Sequence, residues 1–173
     1  AAKFKRADRS AQVTLITKDQ DISYAGCGLP YYVGGLIEEE KKLIVNTPQK
    51  YSSLTGVQVL TGREAIALDS LHKVVTARNL VQGTEEKYPY DRVVIATGAS
   101  ALVPEMAGGS LEGVFKMRAP EDAVKIRSYI QQREAKKAVV IGGGFIGLEV
   151  AENLKAQGLS VSIVEFAPQL LQN

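Results

Sequence analysis

The stretch Ala138-Val139-Val140-Ile141-Gly142-Gly143-Gly144-Phe145-Ile146-Gly147 decides the fold of this chain. Four apolar residues in a row read as a strand, and the glycines that follow at once read as a tight turn opening a helix. The helix runs to about Gln157 and ends at Gly158, and Val161-Ser162-Ile163-Val164-Glu165 supplies the next strand. Together they take about 28 residues, the size of one βαβ unit. The glycines divide the work: Gly142 permits the turn, Gly144 lets the backbone approach a pyrophosphate, and Gly147 lets the helix pack closely on the sheet. The loop Gly142, Gly143, Gly144, Phe145, Ile146 and Gly147 is therefore assigned to a dinucleotide, with helix N–H groups and dipole facing its phosphates. Glu165, 23 residues after Gly142, is placed to accept a hydrogen bond from a ribose 2′-hydroxyl. A carboxylate there repels a 2′-phosphate, so NAD(H) is favoured over NADP(H). Glu149, early in the helix, either helps to cap it or approaches the nicotinamide end.

Composition narrows what surrounds this unit. A hydrophobic content of 45% with 23% charged residues belongs to a soluble globular chain. The net charge of +2 is too small for a nucleic-acid surface. No apolar run approaches the ~20 residues of a membrane span, and the N-terminus has no signal-peptide core. One cysteine excludes an intrachain disulfide and makes a reducing, cytoplasmic compartment the simplest home. No metal site is expected.

Outward from the βαβ unit, the elements alternate. Residues 1–9 read as the tail of a helix whose Lys3, Lys5, Arg6 and Arg9 form either a solvated face or a site for an anion. Val13 to Thr17 reads as a short strand. Thr47-Pro48 is an N-cap with Pro in the first turn, Gly56 closes that helix, and Val57 to Leu60 forms a strand. Ile66 to Asp69, Val74 to Arg78 and a run towards Tyr88 make a small antiparallel meander that holds the only histidine, His72, as a solvated residue. Arg92-Val93-Val94-Ile95-Ala96 reads as a buried strand that ends in Thr97-Gly98. Pro120 to Glu134 has helical spacing, with Ala123, Ile126 and Ile130 on one face.

The only cysteine, Cys27, lies in Ile22-Ser23-Tyr24-Ala25-Gly26-Cys27-Gly28-Leu29-Pro30-Tyr31-Tyr32-Val33-Gly34-Gly35. Two readings stand. A small apolar core residue is one. The other is a reactive thiol: flanking glycines leave little bulk against it, and Gly28-Leu29-Pro30 reads as a helix start, whose dipole favours thiolate.

Taken together, the cysteine run, Asn46-Thr47-Pro48, Ala96-Thr97-Gly98, the 142–147 loop, and Glu165 with Pro168-Gln169-Leu170-Leu171 resemble the flavin-dependent pyridine nucleotide-disulfide oxidoreductases. The likeness is to the single-cysteine branch, which holds coenzyme A-disulfide reductases, NADH oxidases and NADH peroxidases. It implies an α/β fold of Rossmann-like three-layer FAD- and NAD(P)-binding domains with a small antiparallel meander, both incomplete. Residues 1–110 would be part of the FAD-binding domain, and 111–173 the first half of the NAD-binding domain.

The resemblance also implies roles. Electrons would pass from NADH through FAD to Cys27, which would cycle between thiolate and a mixed disulfide with a small thiol, or a sulfenic acid. Members with two redox cysteines carry the second five residues on, where this chain has Tyr32. Thr97 and Gly98 would line the flavin, Ala65 falls where the family pairs the adenine with main-chain groups, and Thr17, beside Lys18, stands where a Glu usually binds the FAD ribose. Arg6 and Ser23 match the family's coenzyme A contacts. Gly26 and Thr55 depart from them, replacing an Asn and a Lys. The expected partners are a small-molecule disulfide such as CoA disulfide, or an oxygen species, with a homodimer in the full-length protein. The resemblance further implies a strand with its own G-x-G-x-x-G ahead of Ala1, and flavin-contacting and dimer-forming segments after residue 173. Two alternatives accompany disulfide reduction: an NADH oxidase or peroxidase working through a Cys27 sulfenic acid, and a non-catalytic, NAD-binding redox sensor.

Overall fold

A computed structural model describes residues 1–172. In chain order its elements are α1 (Ala2–Ala7), β1 (Thr14–Ile16), α2 (Leu29–Val33), α3 (Pro48–Thr55), β2 (Gln58–Leu60), β3 (Arg63–Asp69), β4 (Val74–Asn79), β5 (Glu85–Pro89), α4 (Pro120–Gln132), β6 (Lys137–Ile141), α5 (Phe145–Ala156) and β7 (Ser160–Val164). The fold is α/β of Rossmann type. The chain divides into two compact units, one from 1–24 with 44–98, the other from 25–43 with the chain from Ala99 onward.

In the first unit, α3 starts where the Lys50 N–H donates to Thr47 Oγ1 at 3.2 Å, and ends where the Gly56 N–H closes on Ser52 O at 2.8 Å. The chain then enters β2, which pairs in parallel with β1 from Thr14 against Gln58 to Ile16 against Leu60. The Arg63 N–H donates to Thr17 O at 2.9 Å and so ties the end of β1 to the antiparallel sheet β3-β4-β5. Register slips between Ala65 and Ala67, a β-bulge in β3. Glu86 on β5 knits the meander: its carboxylate accepts from the Tyr88 hydroxyl, from Asn79 Nδ2 at 2.8 Å and from Arg63 Nε at 3.4 Å. Those donors, Tyr88 foremost, hold its pKa below the ordinary carboxylate value.

The buried strand expected over 92–96 is not formed. These residues are exposed, Val94 at 87% and Ile95 at 70%, and belong to no strand. β-branched side chains dispose a segment to extend, but a strand exists only through a neighbour's hydrogen bonds. Among the described residues no strand pairs with this run.

The second unit contains the βαβ unit. β6 and β7 pair in parallel from Lys137 against Ser160 to Ile141 against Val164, with α5 between them in sequence. β6 is two-faced: Ala138 and Val140 pack on the core, whereas Val139 and Ile141 are exposed. The core joins Leu29, Tyr32 and Val33 of α2 to Ala123 of α4, Val150 and Leu154 of α5, and Leu43 and Leu159. Each large aliphatic in it contributes about 1.5–3 kcal/mol by leaving water. The helical face Ala123, Ile126 and Ile130 points at this core as its spacing predicts. Asp122 anchors the start of α4 by accepting from the Arg118 and Ala119 N–H groups at 2.9 and 3.0 Å. Among the described residues no helix is long and apolar enough to cross a membrane.

The short α2 is held at its C-terminal end. A Cβ on Gly34 would overlap the side chain of Asn153, a buried residue of α5, and Gln157 Nε2 donates to the Gly34 carbonyl. We expect Gly34→Val to lower stability by about 1–3 kcal/mol, the cost of overpacking, in urea titrations. Gly26→Ala, where no heavy atom lies within 4 Å, should change it by less than about 0.5 kcal/mol. Equal losses for the two would refute this packing.

Candidate functional site

The site starts from one close approach. A Cβ at position 147 would overlap the carbonyl oxygen of Gly142, so only glycine lets α5 rise this near to the end of β6. Gly142 itself turns at a φ of 104°, a conformation that L side chains rarely adopt. Gly144 has no heavy atom within 4 Å of where a Cβ would stand, which leaves its backbone open to a ligand. The sequence motif places no demand on Gly143, but the structure does. A side chain there would overlap Leu170 and stand 3.1 Å from Glu165 Oε2.

Glu165 directly follows the second strand, as the motif requires, and it grips the loop directly. Its Oε1 accepts from the Ala167 N–H at 2.9 Å and its Oε2 from the Gly143 N–H at 2.5 Å. These bonds, Ala167's first, hold its pKa below the ordinary carboxylate value, so it is an anion at neutral pH. Each carboxylate oxygen keeps a lone pair for a further donor, such as a sugar hydroxyl. No side chain caps the start of α5, so its first N–H groups have no partner within the helix. Gly143, Gly144, Phe145, Glu165, Phe166 and Ala167 line a cleft of about 440 Å³. An open glycine backbone, uncapped N–H groups and an anchored carboxylate fit a pyrophosphate joined to a ribose. Phe166 and Ala167 were not singled out from the sequence; their place directly after Glu165 was the available signal.

Cys27 lies in the same unit, in a one-turn 3-10 helix, Gly26–Gly28, that leads into α2. The turn has a packed floor. The Gly28 N–H donates to Ala25 O and the Ala25 N–H to Leu43 O, both at 2.8 Å. Gly28 is buried, and a Cβ there would stand 3.1 Å from Ile37 Cδ1 and 3.2 Å from Leu43 Cδ2. The rim is open, for Cys27 is exposed and free. Of the two readings of this thiol, the core residue is thereby set aside.

Tyr32 on α2 and Glu149 on α5, half-buried with its carbonyl accepting from Asn153 Nδ2 at 2.8 Å, lie in the second unit; the remaining residues singled out from the sequence lie in the first. Arg6 is exposed on α1, and Ser23 is half-buried, its carbonyl accepting from Val45 N at 2.9 Å. Thr17 is bound on both main-chain sides, its N–H to Leu60 O at 3.0 Å and its carbonyl to Arg63 N, while Oγ1 accepts from the Asp19 N–H at 3.3 Å. Lys18 beside it is exposed. Two residues beyond Arg63, Ala65 sits at the bulge, which leaves Ile66 out of register with β4. Thr97 and Gly98 form an exposed loop, Gly98 at a φ of 71°. His72 is solvated in the β3–β4 turn with Nδ1 2.8 Å from Asp69 Oδ2.

The whole chain, residues 1–173, matches the family model described as pyridine nucleotide-disulphide oxidoreductase, and the chain belongs to that family. A protein of Methanocaldococcus jannaschii named NADH oxidase is 37% identical over 171 residues, 99% of this chain and 38% of the relative. A coenzyme A disulfide reductase of Staphylococcus haemolyticus is 37% identical over 166 residues, 95% of this chain and 37% of the relative. Among solved structures, reduced Bacillus anthracis CoADR-RHD matches with a TM-score of 0.95 at 32% identity, over 99% of this chain and 31% of that one. The chain thus spans less than two fifths of the curated relatives it matches.

The anchored Glu165 has a pH signature. Because its folded pKa lies below the 4.5 of an unperturbed glutamate, its stabilising bonds are in place above that value and are lost as pH falls through the folded pKa. Urea titrations should show wild type more stable than Glu165→Gln at neutral pH, with the difference vanishing towards acid. A difference that persists in acid would show that the anchoring does not depend on the charge.

Proposed function

We propose that this chain supplies the thiol and the dinucleotide loop of a flavoprotein that uses NADH to reduce a small-molecule disulfide, with coenzyme A disulfide as the favoured substrate. The observation that carries the reading is a single exposed thiol on a glycine-flanked turn, in the unit that also holds the glycine loop and Glu165. In that reading residues 1–110 contribute to the flavin-binding domain and 111–173 to the NAD-binding domain. FAD, when bound, relays an electron pair from NADH to sulfur, and Thr17, Lys18, Ala65, Thr97 and Gly98 are the residues of this chain that would hold it.

The protein's own part is thiol chemistry. The Cys27 thiolate attacks one sulfur of the disulfide RS–SR, forming a Cys27–S–S–R bond and expelling RS⁻, which takes a proton from water. An electron pair then cleaves the mixed disulfide, returning the Cys27 thiolate and releasing the second RS⁻. The sum is two electrons and two protons for two thiols. Tyr32 stands where a resolving cysteine would be, so the mixed disulfide has no intramolecular competitor. Glu165 and the amides of the glycine loop hold NADH, and the Glu165 charge disfavours a 2′-phosphate. Arg6 and Ser23 would contact the coenzyme A moiety. The supporting likeness is to the reductase of Staphylococcus haemolyticus.

The equal identity to the protein named NADH oxidase favours a second reading. There one electron pair and two protons reduce oxygen to peroxide, the thiolate attacks a peroxide oxygen to form a sulfenic acid and expel hydroxide, and a second electron pair with a proton restores the thiolate with loss of water.

Intact mass separates the two: an adduct of coenzyme A mass, lost on reduction, supports the first, and NADH-driven oxygen consumption without an adduct supports the second. In the complete protein, Cys27→Ser should lower disulfide reduction at least about a thousandfold and leave NADH binding intact. Retained reduction would overturn the role of Cys27.

A further inference from the structure

The second unit holds a cationic side chain that neither the motifs nor the proposed chemistry uses. Arg127, half-buried on α4, directs one nitrogen, Nη1, at three main-chain carbonyls: Ile37 at 2.9 Å, Glu38 at 3.1 Å and Tyr32 at 3.2 Å. Its guanidinium carbon also lies 4.6 Å from the centroid of the Tyr32 ring, a cation–π contact. These bonds close the turn between α2 and the Glu40–Leu43 segment, where the Ile37 N–H already donates to Tyr31 O at 3.2 Å.

The clamp connects to the thiol by direct contacts. Arg127 fixes the carbonyl of Ile37, and the side chain of Ile37 lies against Gly28, 3.1 Å from where a Cβ would stand. Gly28 is bonded to Cys27 and buried beneath it. At the other end of α2 the guanidinium holds both the carbonyl and the ring of Tyr32. No heavy atom lies within 4 Å of where a Cβ on Gly26 would stand, and the Cys27 turn rests on the floor of Gly28, Ile37 and Leu43, whose Ile37 carbonyl Arg127 clamps.

We propose that Arg127 is a positioning residue for Cys27: by gathering the Tyr32, Ile37 and Glu38 carbonyls and the Tyr32 ring, it sets where the thiol stands. The inference rests on the reading of Cys27 as the reacting thiol. Lysine would be a poor substitute, because a compact ammonium matches neither the flat ring contact nor the fork geometry of guanidinium. Among the described residues Arg127 bonds to the Tyr32, Ile37 and Glu38 carbonyls and not to the glycine loop, so nucleotide binding should not depend on it.

The test uses Arg127→Lys and Arg127→Ala in the complete protein. Two rates are measured, iodoacetamide alkylation of Cys27 and steady-state disulfide reduction, together with NADH binding. Displacing a thiol by a fraction of an ångström to an ångström should lower kcat roughly tenfold or more, and the alkylation rate should shift with the changed surroundings of the thiol. NADH affinity should stay within about twofold, as for an independent site, and the disulfide KM should change less than kcat. Millimolar guanidinium, but not ammonium, should restore Arg127→Ala. Unchanged alkylation and kcat in both variants would overturn the proposal. So would a joint loss of thiol reactivity and NADH binding that guanidinium does not restore, since that describes a folding defect. The reading of Cys27 fails separately, if Cys27→Ser retains reduction.

Discussion

The second unit depends on a contact between two backbones, the start of α5 against the carbonyl of Gly142. Hydrogen at position 147 is the only substituent the space admits. From that proximity follow the direction of α5 and the presentation of its uncapped first turn to the 440 Å³ cleft. It also sets where α5 offers Asn153 and Gln157 to Gly34. Through Gly34 the constraint reaches α2, and through α2 the turn that carries Cys27. The nucleotide loop and the thiol turn therefore share one packing scaffold, built on apolar burial rather than on charge.

Two charged side chains refine this scaffold, and both act on main chain. Glu165 gathers N–H groups and Arg127 gathers carbonyls. A charged partner strengthens a hydrogen bond, and main-chain partners cost no side-chain ordering on the other side. The ion pairs of Lys41 with Glu39 and of Arg133 with Glu112 differ in kind. Both are exposed at both ends, where water and salt leave such pairs little net worth.

What was legible in the sequence was local. The βαβ unit could be read because the backbone demands on Gly142 and Gly147 arise within a few residues of each. The same holds for the Thr47-Pro48 start and Gly56 end of α3, and for the Ala123, Ile126 and Ile130 face of α4. Features that need a distant partner were not legible. Val93 to Ile95 have the composition of a buried strand but pair with none of the described strands. Arg127 meets the carbonyl of Ile37 from 90 residues away, and nothing in the local pattern around either residue marks the pair. Gly143 belongs with these: Leu170, which excludes a side chain there, arrives only after β7 has been laid down. The exposure of Cys27 was equally hidden, because it depends on which elements cover the turn rather than on the flanking glycines.

The open rim around Cys27 also determines how this chain behaves under oxidation. With one sulfhydryl in 173 residues, and that one at the surface, the chain has a covalent valence of one. In its disulfide forms each molecule is either capped by a small thiol or joined to one other copy through Cys27. Residues 1–173 offer no second thiol from which longer disulfide-linked polymers or scrambled internal bridges could grow.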